Sequence, residues 1–163
     1  DGRQDGMDGI LISLKSKIIP IAIGSQKENS PNNTNIEIEY AAAHNAPILV
    51  RNGELIELEA DKMPVGLGDK KESFSHYTID LSPPPSGEAG RGSAILYLHT
   101  DGFADQFGGS KGKKFKYKQL NEKLLAISHL SMEEQKAELD KTFVEWKGNL
   151  EQVDDVLIIG IKI

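Results

Sequence analysis

The 163-residue chain contains no cysteine. That excludes disulfides, thiolate zinc sites, iron–sulfur clusters and a cysteine nucleophile, and it fits a reducing compartment. No Gly-x-Ser-x-Gly segment is present, so covalent hydrolysis through a serine elbow has no candidate either. No apolar run approaches the roughly 20 residues a membrane helix requires, and no segment resembles a signal peptide. The expected location is therefore cytoplasmic, without direct membrane insertion. A basic excess is also lacking: 19 Lys and Arg stand against 25 Asp and Glu, a net charge of −6, which argues against a nucleic-acid partner or an anionic-membrane surface. The initiator methionine is absent as well, and Asp1-Gly2-Arg3-Gln4-Asp5-Gly6-Met7-Asp8 runs almost directly into an apolar strand. This is the pattern expected of a piece of a longer chain.

What is present reads as one globular domain over residues 1–163, with 38% hydrophobic and 27% charged residues. A chain of this size buries roughly two thirds of its unfolded surface. Ile10–Leu14 and 18–23 are short, β-branched apolar runs that predict strands, and the polar segment 24–35 predicts a loop or insertion. Ile36-Glu37-Ile38-Glu39-Tyr40 alternates as a strand with one wet face. Asn52-Gly53 between apolar runs predicts a hairpin over 47–59. Residues 74–81 alternate again, 83–93 form a second insertion, and 94–99 predict a buried strand. Helical spacing covers 118–129 and 131–147; the second segment has a capping-box start at Ser131, an apolar face of Leu139, Phe143 and Trp146, and a left-handed stop at Gly148. The run at 156–163 is apolar at nearly every position, which predicts a central strand covered on both faces. The expected class is α+β, mainly antiparallel, with a helical pair before the last strand.

Two carboxylates stand where apolar runs meet loops: Asp101, in Tyr97-Leu98-His99-Thr100-Asp101-Gly102-Phe103, and Asp154, in Gln152-Val153-Asp154-Asp155-Val156. If 94–99 and 156–163 are antiparallel neighbours, both acids sit at one sheet edge. Carboxylates held close together repel unless a cation lies between them, and hard oxygen ligands suit a divalent ion. The bland reading, two turn residues, has about equal weight on local sequence alone.

The segments Thr100-Asp101-Gly102-Phe103-Ala104-Asp105-Gln106-Phe107-Gly108-Gly109, Ala43-His44-Asn45-Ala46-Pro47, Met63-Pro64-Val65-Gly66, Asp5-Gly6-Met7-Asp8 and Gln152–Val156, in this arrangement, resemble the SpoIIE-type serine/threonine phosphatases, the bacterial branch of the metal-dependent protein phosphatase family. The resemblance implies an αββα layered sandwich whose acidic edge binds two Mn²⁺ or Mg²⁺ ions, with attack of a metal-bound water on phosphoserine or phosphothreonine. It implies Asp101 and Asp154 as the metal-binding and catalytic residues, with Asp155 pointing elsewhere and Asp8 near the site. It implies a role in signal transduction and sigma-factor regulation: the substrate would be a phosphoprotein such as an anti-sigma-factor antagonist, with an upstream sensor domain in the same polypeptide. The family also carries an Asp-x-x-Gly-His-Gly segment ahead of the Asp-Gly-Met-Asp region, and this sequence has none. The expectation is thus a domain whose N-terminal part is missing, or a catalytically incomplete interaction module.

Other candidates carry less. His44 reads mainly as a histidine that fixes its loop through backbone hydrogen bonds, and His76, His99 and His129 show no ligand spacing. Gly108-Gly109-Ser110-Lys111-Gly112-Lys113-Lys114 fails the phosphate-loop template, with Phe107 and Lys114 at two of its required positions. The lysines at 111, 113, 114, 116 and 118 read as a solvated run more often than as a dock for a phosphorylated partner.

Overall fold

Alternating apolar residues decide which faces the strands bury. The computed structural model describes residues 6–18, 34–66, 72–81 and 94–163. In chain order its elements are β1 (Gly6–Met7), β2 (Gly9–Ile18), β3 (Thr34–Ala43), β4 (Ile48–Arg51), β5 (Glu54–Glu57), β6 (Val65–Gly66), β7 (Tyr77–Asp80), β8 (Ile95–His99), α1 (Gly102–Asp105), β9 (Phe107–Gly108), β10 (Lys113–Lys114), α2 (Tyr117–Ile127), α3 (Met132–Lys147) and β11 (Ile158–Lys162). The two larger sheets have the orders β11-β8-β4-β5 and β2-β3-β7, β1 pairs with β6 and β9 with β10 in two-stranded ladders, and every one of these pairings is antiparallel.

The register of β4 and β8 sorts their side chains into two cores. Ile48, Val50, Ile95 and Tyr97 face a helical layer with Phe103, Phe115, Leu120 and Leu124. Leu49, Leu96 and Ala94 face the other sheet, where they meet Ile38 and Leu81. This is the period-2 rule applied to strands covered on both sides. Leu139, Phe143 and Trp146 pack from α3 onto the helical core, as the spacing predicts. The layers are thus helix, sheet, sheet; the second outer helical layer of an αββα sandwich has no member among the described residues.

Local signals explain the joints. Asn52 and Gly53 both take positive φ, 54° and 77°, the pair a two-residue hairpin turn demands. Ser131 accepts from the Glu134 amide while the Glu134 carboxylate accepts from the Ser131 amide, and Gly148 closes α3 at φ 55°. Gly108 and Gly109 serve packing: a Cβ on Gly108 would lie 1.9 Å from the Trp146 carbonyl oxygen, and the Gly109 amide donates to that same oxygen at 2.8 Å. These glycines seat α3, which accounts for them without a phosphate.

Three expectations need revision. The last strand is an edge strand, paired only with β8 among the described residues, and Leu157 and Ile159 are exposed. Its continuous apolar character comes from covering two cores, Ile158 toward the helices and Ile161 and Ile163 toward the second sheet. The segment at 74–81 is a strand only over Tyr77–Asp80. Asp101-Gly102 opens a one-turn helix instead of a plain loop. Of the expected strand over 18–23 only Ile18 is described, as the end of β2; its remainder and most of the expected loops at 24–35 and 83–93 lie outside the described residues.

In the helical core the Tyr97 hydroxyl donates to Gln135 Oε1 at 2.6 Å, with both residues buried. Burial pushes the Tyr97 phenol up to about 12. Tyr97→Phe strands the Gln135 oxygen without its donor, so we expect a loss of about 1–3 kcal/mol. Urea denaturation should show a lower midpoint at unchanged slope.

Candidate functional site

Thr100 ties the two acidic loops together. Its amide donates to Leu157 O at 3.0 Å, its hydroxyl donates to Asp155 O at 2.7 Å, and the same hydroxyl accepts from the Leu157 amide at 3.0 Å. With His99 opposite Ile158 in the β8–β11 ladder, this clamp sets the 100–101 and 154–157 segments side by side. A threonine at this point does what a backbone ladder would do one residue further on.

Asp101 and Asp154 are therefore brought to one edge. The Asp101 carboxyl is held above the usual carboxylate range, first by burial and then by the charges of Asp154, Asp105 and Asp8. Three carboxylates thus act on a fourth. Asp101 stands at the N-cap of α1, yet its side chain caps no amide there, so the turn-residue reading does not account for its carboxylate. Asp154 is partly engaged locally: its Oδ1 accepts from the Asp155 amide at 2.7 Å. Asp155 contributes its backbone carbonyl to the clamp, and its carboxylate is not among the charges acting on Asp101.

Asp8 reaches the site through a two-strand ladder in which Gly6 pairs with Gly66 and Met7 with Val65. Two segments singled out in the sequence are thus joined where they are described, Gly6 and Met7 of the first pairing with Gly66 and Val65 of the second. Asp8 Oδ1 lies 2.7 Å from His44 Nδ1. His44 has φ 60°, and its amide donates to Asp61 O at 2.9 Å. The loop is fixed by the His44 backbone, as expected, but the ring is engaged by a carboxylate and not by backbone groups. Asp61 in turn accepts from both the amide and the hydroxyl of Ser75. His99 is buried and its imidazole is pushed toward the neutral form by that burial.

Sequence reasoning did not single out Asp105, Tyr117 or Glu57. Asp105, one helical turn after Asp101, pairs with Lys114 at 2.9 Å; the i, i+4 spacing was its available signal. The Tyr117 hydroxyl donates to Asn45 Oδ1 at 3.2 Å. Burial, then Asp101, Asp105, Asp8 and Glu57, push its phenol up to about 12.

An all-oxygen, like-charged donor set fits a hard divalent cation in kind. In number it is short: among the described residues no group of three or more histidine or acidic side chains closes into a set that could hold a metal. No helix among the described residues is long and apolar enough to cross a membrane.

Antiparallel sheets backed by a helical pair match the fold of a PP2C domain. The chain aligns with the SiaA-PP2C domain of Pseudomonas aeruginosa at a TM-score of 0.65 and 24% identity, over 80% of this chain and 51% of that one. It thus spans about half the length of that solved structure. Residues 31–163 match the family described as Stage II sporulation protein E (SpoIIE), and the chain belongs to that family, one of metal-dependent protein phosphatases. No curated protein matches the sequence.

Proposed function

We propose that this chain is the catalytic part of a protein phosphatase that hydrolyses phosphoserine or phosphothreonine on a regulatory protein in bacterial signalling, with residues 1–163 belonging to one domain. The observation that carries the reading is the Thr100 clamp, which sets the Asp101 and Asp154 segments side by side, with Asp105 and Asp8 adding their charges at the same point. Asp101 and Asp154 would hold Mn²⁺ or Mg²⁺, two ions in the family's pattern. When bound there, such a cation would supply Lewis acidity to a water and to the phosphoryl oxygens. Asp8 orients the His44 ring through Nδ1, and Asp105 keeps the Lys114 ammonium beside the acidic edge. The proposed setting is cytoplasmic, with a sensor domain in the same polypeptide and a phosphorylated anti-sigma-factor antagonist as the substrate type.

A second reading, a catalytically incomplete interaction module, is favoured by the shortage of closed ligand sets among the described residues. Calorimetric titration with Mn²⁺ separates the two. Binding at micromolar concentration that disappears in Asp154→Asn is expected for the phosphatase. Absence of binding, together with no Mn²⁺-dependent release of phosphate from a phosphoprotein, leaves the interaction module.

A further inference from the structure

We propose that a cleft beside the acidic edge is a subsite for a guanidinium or ammonium group carried by the phosphoprotein near its phosphorylated residue. This deepens the phosphatase reading and rests on it. The cleft, about 110 Å³, lies between the 44–46 loop, the end of β5 and the start of α2, with His44, Glu57, His99, Tyr117 and Asn121 among its walls. It is smaller than the ~150 Å³ cavity that accommodates benzene, so it suits a side-chain head group better than a ring system.

Position and charge both point to a cation. His44 belongs to the cleft and to the site, since its ring contacts Asp8. Tyr117, across from it, is within electrostatic reach of Asp101, Asp105, Asp8 and Glu57. No lysine or arginine lines the cleft among the described residues, and the nearby Lys114 is engaged by Asp105.

The hydrogen-bonding inventory agrees. Asn121 Oδ1 is buried with no partner, a state that ordinarily signals a missing donor. The Tyr117 hydroxyl spends its proton on Asn45 and keeps its lone pairs for an incoming N–H. The rings of Tyr117 and His99 lie 5.7 Å apart with their planes tilted by 50°, and the tyrosine face attracts cations. A phosphate would be repelled here by the Glu57 carboxylate in the wall and by the acidic edge beside it, so the subsite would discriminate between the substrate's own charged groups.

The test uses two phosphoserine peptides that differ only in arginine against norleucine at positions flanking the phosphoserine. Their binding is followed by calorimetry, and p-nitrophenyl phosphate, which has no flanks, reads the reaction alone. We expect the arginine peptide to bind about fivefold more tightly, the scale of one partly exposed ion pair. Glu57→Gln should abolish that preference while leaving p-nitrophenyl phosphate turnover unchanged, and Glu57→Lys should favour a glutamate-flanked peptide. Equal affinities in the wild-type protein, or a preference that survives both Glu57 variants, would overturn the subsite. Failure to hydrolyse p-nitrophenyl phosphate with Mn²⁺ would instead count against the phosphatase reading.

Discussion

Replacing Asp101 by asparagine is expected to lower Mn²⁺-dependent phosphate release on the order of 10³-fold while leaving the fold at least as stable as the wild type. The two halves of this expectation have one cause. Asp101 is partly buried among Asp154, Asp105 and Asp8, and both burial and those charges raise its carboxyl pKa. A carboxyl whose folded pKa lies above its unfolded pKa binds protons more tightly in the folded state. The sign follows: its ionisation destabilises the fold as pH rises through the unfolded pKa, and the cost is fully present above the folded pKa. Asparagine has the same shape and removes that cost at neutral pH. It also removes an anionic ligand from the cation, which is worth several kcal/mol of stabilisation at the phosphoryl group. Thermal melting and steady-state hydrolysis, measured on the same preparations, check the pair of outcomes. A variant that keeps its rate, or that loses rate only in proportion to lost folded protein, would show that Asp101 plays no part in holding a metal. Function traded against stability in this way is the mark expected of a ligand and not of a turn residue.

Elements with their own local cause were legible in the sequence, and elements created by long-range pairing were less so. Ser131 with Glu134, Gly148, and Asn52-Gly53 each encode their structure within a few residues, and each appears where it was expected. The apolar run at 156–163 was readable as a strand but not as an edge. Period-2 covering by two cores looks the same in sequence whether or not a neighbour lies alongside. The placement of Asp101 and Asp154 at one edge was legible because one follows and the other precedes an apolar run, and antiparallel pairing of those runs follows from simple topology. Tyr117 and Glu57 were not. Tyr117 begins a helix, Glu57 ends a hairpin, and neither has a local pattern that distinguishes it from a solvated neighbour; only packing of α2 against β5 brings them to one cleft. Asp8 lies between, since its segment was singled out by resemblance while its approach depends on pairing of Met7 with Val65.

Gly102→Ala should impair the site without touching a carboxylate. Gly102 needs no unusual backbone angle; its requirement is one of space. A Cβ there would stand 2.4 Å from the Asp155 carbonyl oxygen and 2.9 Å from its carbon, and a backbone neighbour cannot swing away as a side chain would. The same oxygen accepts the Thr100 hydroxyl, so relieving the clash means opening the clamp that carries Asp154 to Asp101. Overpacking of this kind costs about 1–3 kcal/mol, and a displacement of about 1 Å at a catalytic edge can cost about 10²-fold in rate. Gly112→Ala provides the comparison: its Cβ would meet nothing within 4 Å, while its φ of 55° still costs a non-glycine residue about 1–2 kcal/mol. Both variants should melt earlier than the wild type. Only Gly102→Ala should bind Mn²⁺ more weakly and lose activity at temperatures where it remains folded. If the two variants lose activity equally, or Gly102→Ala keeps wild-type metal affinity, then the close approach at Gly102 serves packing alone and the position of Asp154 is set by something other than the Thr100 clamp.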